Sequence, residues 1–126
     1  MITEDYLMRQ IEIIGRALAK LLFNKETTEY IVIDYAVPTD TDVIHNQLLG
    51  LIDDGKLNEA ENLLFEKIEA ELEENPEGNK YLEVAVDFYA RLNDLSSSVL
   101  DECGFEREEI DEGLREVADL YGYNVI

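Results

Sequence analysis

The sequence contains little of several residue types, and each shortage excludes a class of protein. One of its 126 residues is cysteine, so the chain cannot form the internal disulfides that staple small secreted domains. Its purely apolar runs are only a few residues long, whereas a membrane-spanning helix needs roughly 20. The first five residues contain two acidic side chains, Glu4 and Asp5, and no basic one, unlike the basic start of a signal peptide. We therefore expect a cytoplasmic protein.

Basic residues are also scarce, which argues against a nucleic-acid partner. Ten Lys and Arg residues face thirty Asp and Glu residues, for a net charge of −20, and such a chain repels a phosphate backbone. The charge is unevenly distributed. Residues 1–25 contain four basic and three acidic side chains, so all of the negative excess lies in residues 26–126.

What the chain does contain is 46% apolar residues, enough for a core, and a length typical of one domain. The apolar residues recur at helical spacing. The sequence therefore predicts one all-helical domain over residues 1–126, an all-α bundle of five helices at about 4–23, 41–54, 57–74, 80–94 and 106–121. Either Asp40 or Thr41 is the expected cap of the second helix, and a further helical turn is expected around Val99 and Leu100.

The first helix has an unusually wide apolar face. Leu7, Ile11, Ile14, Leu18 and Leu21 form its central stripe, and four more apolar residues widen the stripe to over half of the circumference. These four are Tyr6, Ile13, Ala17 and Leu22. Such a face predicts contact with two neighbouring helices or with a partner chain, and it makes this helix the expected keystone of the core.

Residues 26–39 are ambiguous. The run from Tyr30 to Tyr35 is β-branched and aromatic, which favours a strand, but the sequence offers no second strand to pair with it. Three interpretations stay open: a short helix, an extended loop over the core, or a lone strand that pairs with its copy in a homodimer. Pro38 ends the segment in each case.

The turn Gly55-Lys56-Leu57-x-Glu59-Ala60 resembles the centre of a tetratricopeptide repeat. Glycine lets the chain reverse, and the small Ala60 lets the second helix approach the first. Because no second copy follows at a 34-residue period, the sequence predicts one tetratricopeptide-like helical hairpin and not a solenoid.

Four segments resemble a domain-of-unknown-function family of short acidic helical proteins from Gram-positive bacteria. They are residues 6–11, 21–25 and 55–65, and the closing motif Ile110-x-x-Gly113-Leu114-x-Glu116-Val117-Ala118. The resemblance implies an all-helical, repeat-like fold. It implies no catalytic residue.

Few side chains are candidates for chemistry. His45, the only histidine, has Asp42 three residues before it, but a di-iron bundle needs two such helices, so a hydrogen-bonded or solvent-facing histidine is expected. Cys103 has acidic neighbours that oppose thiolate formation. Ser96, Ser97 and Ser98 are expected to cap a helix or form a turn.

The many carboxylates, such as those of residues 69–74 and 106–112, are expected to form solvated helix faces. The spacing of Asp40, Asp42 and residues 53–55 does not fit a calcium loop, and no glycine-rich phosphate loop is present. We therefore expect no catalytic residue, no metal site and no cofactor.

The function that best fits this sequence is a protein–protein interaction module without enzymatic activity. Its partner is an unknown protein or a second copy of the chain, and neither nucleic acid nor a membrane is expected as a partner. Two alternatives stay open: a small carboxylate-based metalloprotein or enzyme, and an acidic mimic of nucleic acid that occupies a DNA-binding protein.

Overall fold

Six α-helices and no strand are found in a computed structural model that describes residues 3–123. The helices are α1 (Glu4–Phe23), α2 (Asp40–Asp53), α3 (Leu57–Glu74), α4 (Leu82–Asn93), α5 (Ser97–Glu102) and α6 (Arg107–Leu120). The all-helical prediction is confirmed. The predicted number of five is too low, because the short turn expected near Val99 is a separate helix, α5, which Ser96 caps by accepting the N–H of Val99.

Helix α4 is the centre of the bundle. It packs against α1, α2 and α6, and it is buried on nearly all sides. The first helix is therefore not the keystone that its sequence predicts. A helix that is apolar around most of its circumference belongs in the middle of a bundle, and the run Val84-Ala85-Val86 followed by Phe88-Tyr89 has this composition.

Helix α1 packs against α4 and α6, as its wide apolar face predicts. The face that is actually buried is narrower than predicted. Leu7, Ile11, Ile14 and Leu18 are buried, but Leu21 is 81% exposed. Tyr6 and Ile13 are also more than half exposed. The difference arises because the two neighbouring helices cover a single stripe.

Helices α2 and α3 form the predicted helical hairpin. They pack against each other, and the turn between them depends on Gly55, whose φ of +74° lies in the left-handed region that favours glycine. A Cβ atom at Gly55 would also lie 3.4 Å from the Sγ atom of Cys103. Ala60 is fully buried in the hairpin.

The segment between α1 and α2 resolves the ambiguity of residues 26–39: it is a loop, neither helical nor a strand. Asn24 ends α1 with a φ of +53°. Thr39 starts α2 through a capping box, in which its hydroxyl accepts the N–H of Asp42 and the Asp42 carboxylate accepts the N–H of Thr39. The predicted cap, Asp40 or Thr41, is wrong by one or two residues.

Arg107 joins three helix ends in the interior. It is 5% exposed, and its Nη1 and Nη2 atoms donate to the carbonyl oxygens of Asn93 and Leu95 at 2.7 and 3.0 Å. Nη2 also lies 2.9 Å from a carboxylate oxygen of Glu4. The start of α6 is thereby fixed against the end of α4 and the start of α1.

None of the helices in residues 3–123 has the length and apolar character required to cross a bilayer.

Candidate functional site

Asp87 is the centre of a buried polar cluster. It lies on the central helix α4 and is 3% exposed. Its carboxylate accepts three hydrogen bonds: Nε2 of His45 and Nε of Arg91 each lie 2.7 Å from Oδ2, and the N–H of Tyr30 lies 2.9 Å from Oδ1. Three donors around one carboxylate compensate for its removal from water.

Tyr30 connects the loop to this cluster. Its hydroxyl donates to Oδ1 of Asp42 at 2.5 Å and lies 2.8 Å from the hydroxyl of Thr41. Its ring lies 4.5 Å from the ring of His45, tilted by 38°. We call Tyr30, Asp42, His45, Asp87 and Arg91 the clasp, because these side chains hold the loop against α2 and α4.

The hydrogen bonds of the clasp shift the pKa values of its members. Burial raises the pKa of Asp87, but the hydrogen bonds from His45, Arg91 and Tyr30 outweigh burial and hold that pKa below its ordinary value. The pKa of Asp42 is lowered by the hydrogen bonds from the Tyr30 hydroxyl and the Thr39 backbone. Burial and the neighbouring Asp42 raise the pKa of Tyr30. The clasp therefore holds two ionised carboxylates beside a neutral tyrosine.

The histidine of the clasp is paired but enclosed. Because an ionised Asp87 can only accept, the proton between the two side chains lies on Nε2 of His45. The His45 and Asp87 side chains are 7% and 3% exposed. This arrangement orients an imidazole, as in acid–base catalysis, but it leaves the ring little access to a substrate. Its evident effect is to fasten the loop.

The other candidates from the sequence lie apart from the clasp. Ser96 caps α5, and the Ser97 hydroxyl donates to a carboxylate oxygen of Glu4 at 2.5 Å. Cys103 is a free, partly exposed thiol at the end of α5. Within residues 3–123, no group of three or more His, Cys, Asp or Glu side chains is arranged to hold a metal ion.

A half-buried carboxylate, Glu61, lies on α3 and faces α4 and α6. It accepts the hydroxyl proton of the fully buried Tyr89 at 2.7 Å. Burial raises the pKa of Glu61, and the neighbouring Glu109 and Glu116 raise it further; burial and the Glu61 charge also raise the pKa of Tyr89. Gly113 makes room for this pair, since a Cβ atom there would lie 2.5 Å from each of the two bonded oxygens.

Beyond the clasp, the loop exposes a row of large apolar side chains. Ile31 is 62% exposed, Ile33 97%, Tyr35 84% and Val37 69%. We call residues 31–37 the apolar loop. Exposed apolar side chains grouped in one short segment are typical of an interaction surface, whereas single ones are ordinary.

The sequence drew attention to His45 and Asp42 only as half of a metal pair, which was rejected, and it did not indicate their partners. Asp87 carried a detectable signal, because it is the only charge in the apolar run from Val84 to Tyr89. A lone charge at such a position must find partners. Tyr30 carried no signal of its anchoring role, since its two carboxylate partners lie 12 and 57 residues away along the chain.

These features define the class: a small, acidic, all-helical protein whose central helix holds a polar cluster and whose first connection presents an apolar loop. The chain belongs to a family of unknown function (DUF6483), whose family model matches residues 1–122. The resemblance found in the sequence is thereby confirmed at the level of the family. No curated protein and no solved structure matches the chain.

Proposed function

We propose that this protein is a cytoplasmic protein-interaction module without catalytic activity, and that the apolar loop is its binding surface. The observation that carries the proposal is the exposure of Ile31, Ile33, Tyr35 and Val37 in one segment. Leaving these side chains in water forgoes the free energy of burying them, about 1.5–3 kcal/mol each when burial is complete. A partner that covers the loop recovers this energy.

The clasp supports the proposal by holding the loop in place. Tyr30 fastens the amino-terminal side through Asp42 and Asp87, and Thr39 fastens the carboxy-terminal side by capping α2. A binding segment that is already anchored at both ends loses less conformational entropy when it binds. The buried hydrogen bond between His45 and Asp87 has a structural role in this proposal.

We propose, in addition, that the α2–α3 hairpin is tetratricopeptide-like. The positive φ of Gly55 and the full burial of Ala60 support this proposal. Helix pairs of this kind serve as rigid scaffolds for binding surfaces.

A photo-crosslinking experiment tests the proposed function. The photoreactive residue benzoylphenylalanine is placed at Tyr35 in the apolar loop and, as a control, at Leu21, which is similarly exposed on α1 at 81% against 84%. We expect a discrete crosslinked species from the Tyr35 position in living cells and none from Leu21. If neither position, or both equally, gave adducts, the apolar loop would not be the binding surface.

The two alternative functions lead to different measurements. A carboxylate-based metalloprotein or enzyme would retain a stoichiometric metal through purification, which elemental analysis detects. An acidic mimic of nucleic acid would form a complex with a DNA-binding protein that DNA displaces, and substitution of Tyr35 would leave that complex intact.

A further inference from the structure

The apolar loop has a defined shape at its tip. Asp34 forms a turn with its own side chain and backbone: its Oδ1 atom accepts the N–H of Ala36 at 2.9 Å, and its carbonyl oxygen accepts the N–H of Val37 at 3.2 Å. The turn places Ile33 and Tyr35 at the most exposed point of the segment. The tip therefore has a fixed conformation before any partner binds. We call the four exposed apolar side chains of the loop, Ile31, Ile33, Tyr35 and Val37, the knob.

The size of the knob indicates what kind of surface it fits. Four largely exposed side chains of this size present roughly 500 Å² of apolar surface. A stable interface buries about 800 Å² on each partner, with an apolar centre and a polar rim. The knob can thus supply the centre of such an interface, and the side chains around it must supply the rim.

The rim around the knob is acidic. Between Lys25 and Lys56 the sequence has no Lys or Arg. Glu29 and Asp34 are exposed in the loop itself. Glu26 and Asp40 flank the loop on either side, whereas Asp42 is buried in the clasp, and Asp53 and Asp54 lie at the far end of α2.

The nearest lysines are already engaged in ion pairs. Lys20 lies 2.7 Å from Glu26, Lys80 lies 3.1 Å from Asp40, and Lys25 lies 3.6 Å from Glu83. These pairs neutralise part of the rim. Glu29 and Asp34 hold no ion pair within the described residues. They are therefore the exposed charges of the rim that no lysine neutralises.

We infer that the apolar loop docks into an apolar cleft rimmed by Lys and Arg side chains on a different protein. The inference rests on the proposed function and adds the chemistry of the partner. Basic rim residues would complement Glu29 and Asp34, and the net charge of −20 would attract such a partner over a distance of about one Debye length. A second copy of the chain has the same net charge of −20, so the two copies would repel each other.

A titration with synthetic peptides tests this inference. The probe is an amphipathic helix of leucine and lysine, and its counterpart replaces each lysine with glutamate. Binding to the full chain is measured by fluorescence anisotropy at several salt concentrations. We expect the lysine peptide to bind with an affinity that decreases as salt increases, and the glutamate peptide not to bind.

Two charge-neutral double variants separate the loop from general electrostatic attraction. Ile33→Ser/Tyr35→Ser removes the two most exposed apolar side chains of the knob. The control, Ile13→Ser/Leu21→Ser, removes two exposed apolar side chains of α1. We expect the first to weaken binding of the lysine peptide about tenfold or more, and the second to change it by less than about twofold. Circular dichroism confirms that both variants retain the helical fold.

Four outcomes would overturn the inference. If the knob variant bound the lysine peptide as well as the unaltered chain does, or if no peptide bound, the loop would not recognise a basic apolar surface. Equal binding of the lysine and glutamate peptides would show that charge does not determine which peptide the loop binds. A concentration-dependent dimer in sedimentation that Ile33→Ser/Tyr35→Ser abolishes would make a second copy the occupant, while the proposed interaction function would still hold.

Discussion

Asp87 shows at the scale of one residue how an acidic protein tolerates a buried charge. Its carboxylate lies in the centre of the bundle, where burial alone would favour the neutral form. Donors from α2, from its own helix and from the loop reverse that preference. The side chain therefore joins three separate parts of the chain, and its removal should weaken all of them together.

We expect Asp87→Asn to destabilise the protein by about 3 kcal/mol, because it leaves the buried His45 and the half-buried Arg91 without their anionic partner. Urea unfolding monitored by circular dichroism measures the change. The matched control is Glu12→Gln, which removes another (i, i+4) pair with arginine, this one exposed at 67% for Arg16 and 54% for Glu12. The control should change the free energy of unfolding by at most about 0.5 kcal/mol. Equal losses in the two variants would contradict this account.

The clasp also predicts how stability depends on pH. Asp42 and Asp87 have pKa values below the ordinary value of 3.8 in the folded protein. Their stabilisation is therefore fully present above about pH 5 and is lost as the pH falls through their folded-state pKa values. We expect the free energy of unfolding to fall between pH 5 and pH 3, and to fall less in Asp87→Asn. Parallel curves for the two proteins would show that Asp87 does not contribute.

A separate prediction concerns Gly113, because this residue lies against the Glu61–Tyr89 hydrogen bond. We expect Gly113→Ala to destabilise the protein by about 1–3 kcal/mol, since its Cβ atom would lie 2.5 Å from a carboxylate oxygen of Glu61 and from the hydroxyl oxygen of the buried Tyr89. Gly50→Ala is the control: a Cβ atom there meets nothing within 4 Å, and the helix propensity of alanine should stabilise α2 by about 0.5–1 kcal/mol. Thermal unfolding shows whether each substitution raises or lowers the melting temperature. A stabilising Gly113→Ala would refute the close approach.

At the scale of the elements, local sequence signals placed the helices well and their caps less well. The bounds of α1 and α3 match the prediction, because both helices have long, regular apolar stripes. Thr39 caps α2 in place of the predicted Asp40 or Thr41. Several adjacent side chains could serve as the cap, and the choice depends on the path of the loop that precedes it.

The attachment of the loop gives the prediction at this scale. Tyr30→Phe removes the hydroxyl that donates to Asp42, and we expect a loss of about 1–2 kcal/mol. Ile33→Ser changes a side chain that is 97% exposed and should alter stability by less than about 0.5 kcal/mol. Urea unfolding compares them. If Ile33→Ser cost as much as Tyr30→Phe, the loop would be held by its apolar side chains and not by the clasp.

The whole molecule carries a large excess of negative charge, which lies in residues 26–126. A net charge of −20 on 126 residues makes the folded state repel itself. Raising the salt concentration from about 0.01 M to about 1 M shortens the Debye length from roughly 30 Å to 3 Å. We expect the free energy of unfolding to rise over this range, by equal amounts in NaCl and KCl. A fall would mean that the attractive ion pairs outweigh the repulsion.

The candidate site shows the limit of prediction from sequence at this scale. From the sequence, His45 and Asp42 were considered together, as half of a metal pair that was rejected, because they are neighbours on one helix. Their partners Asp87 and Tyr30 come from other parts of the chain. The apolar loop was recognised as β-branched and aromatic, but its conformation stayed ambiguous among helix, loop and strand. Its conformation as a loop depends on the tertiary contacts that attach it to α2 and α4.

The sequence by itself determined the helical class, the bounds of the five longer helices to within two residues, the charge and the family, since each depends on composition or on periodicity between near neighbours. The tertiary structure decided that α4 and not α1 is central, that Leu21 lies outside the core, and that Asp87 gathers donors from His45, Arg91 and the loop. Those outcomes depend on which surfaces meet. Several helices had apolar faces to bury, and packing geometry selects among them where local periodicity cannot.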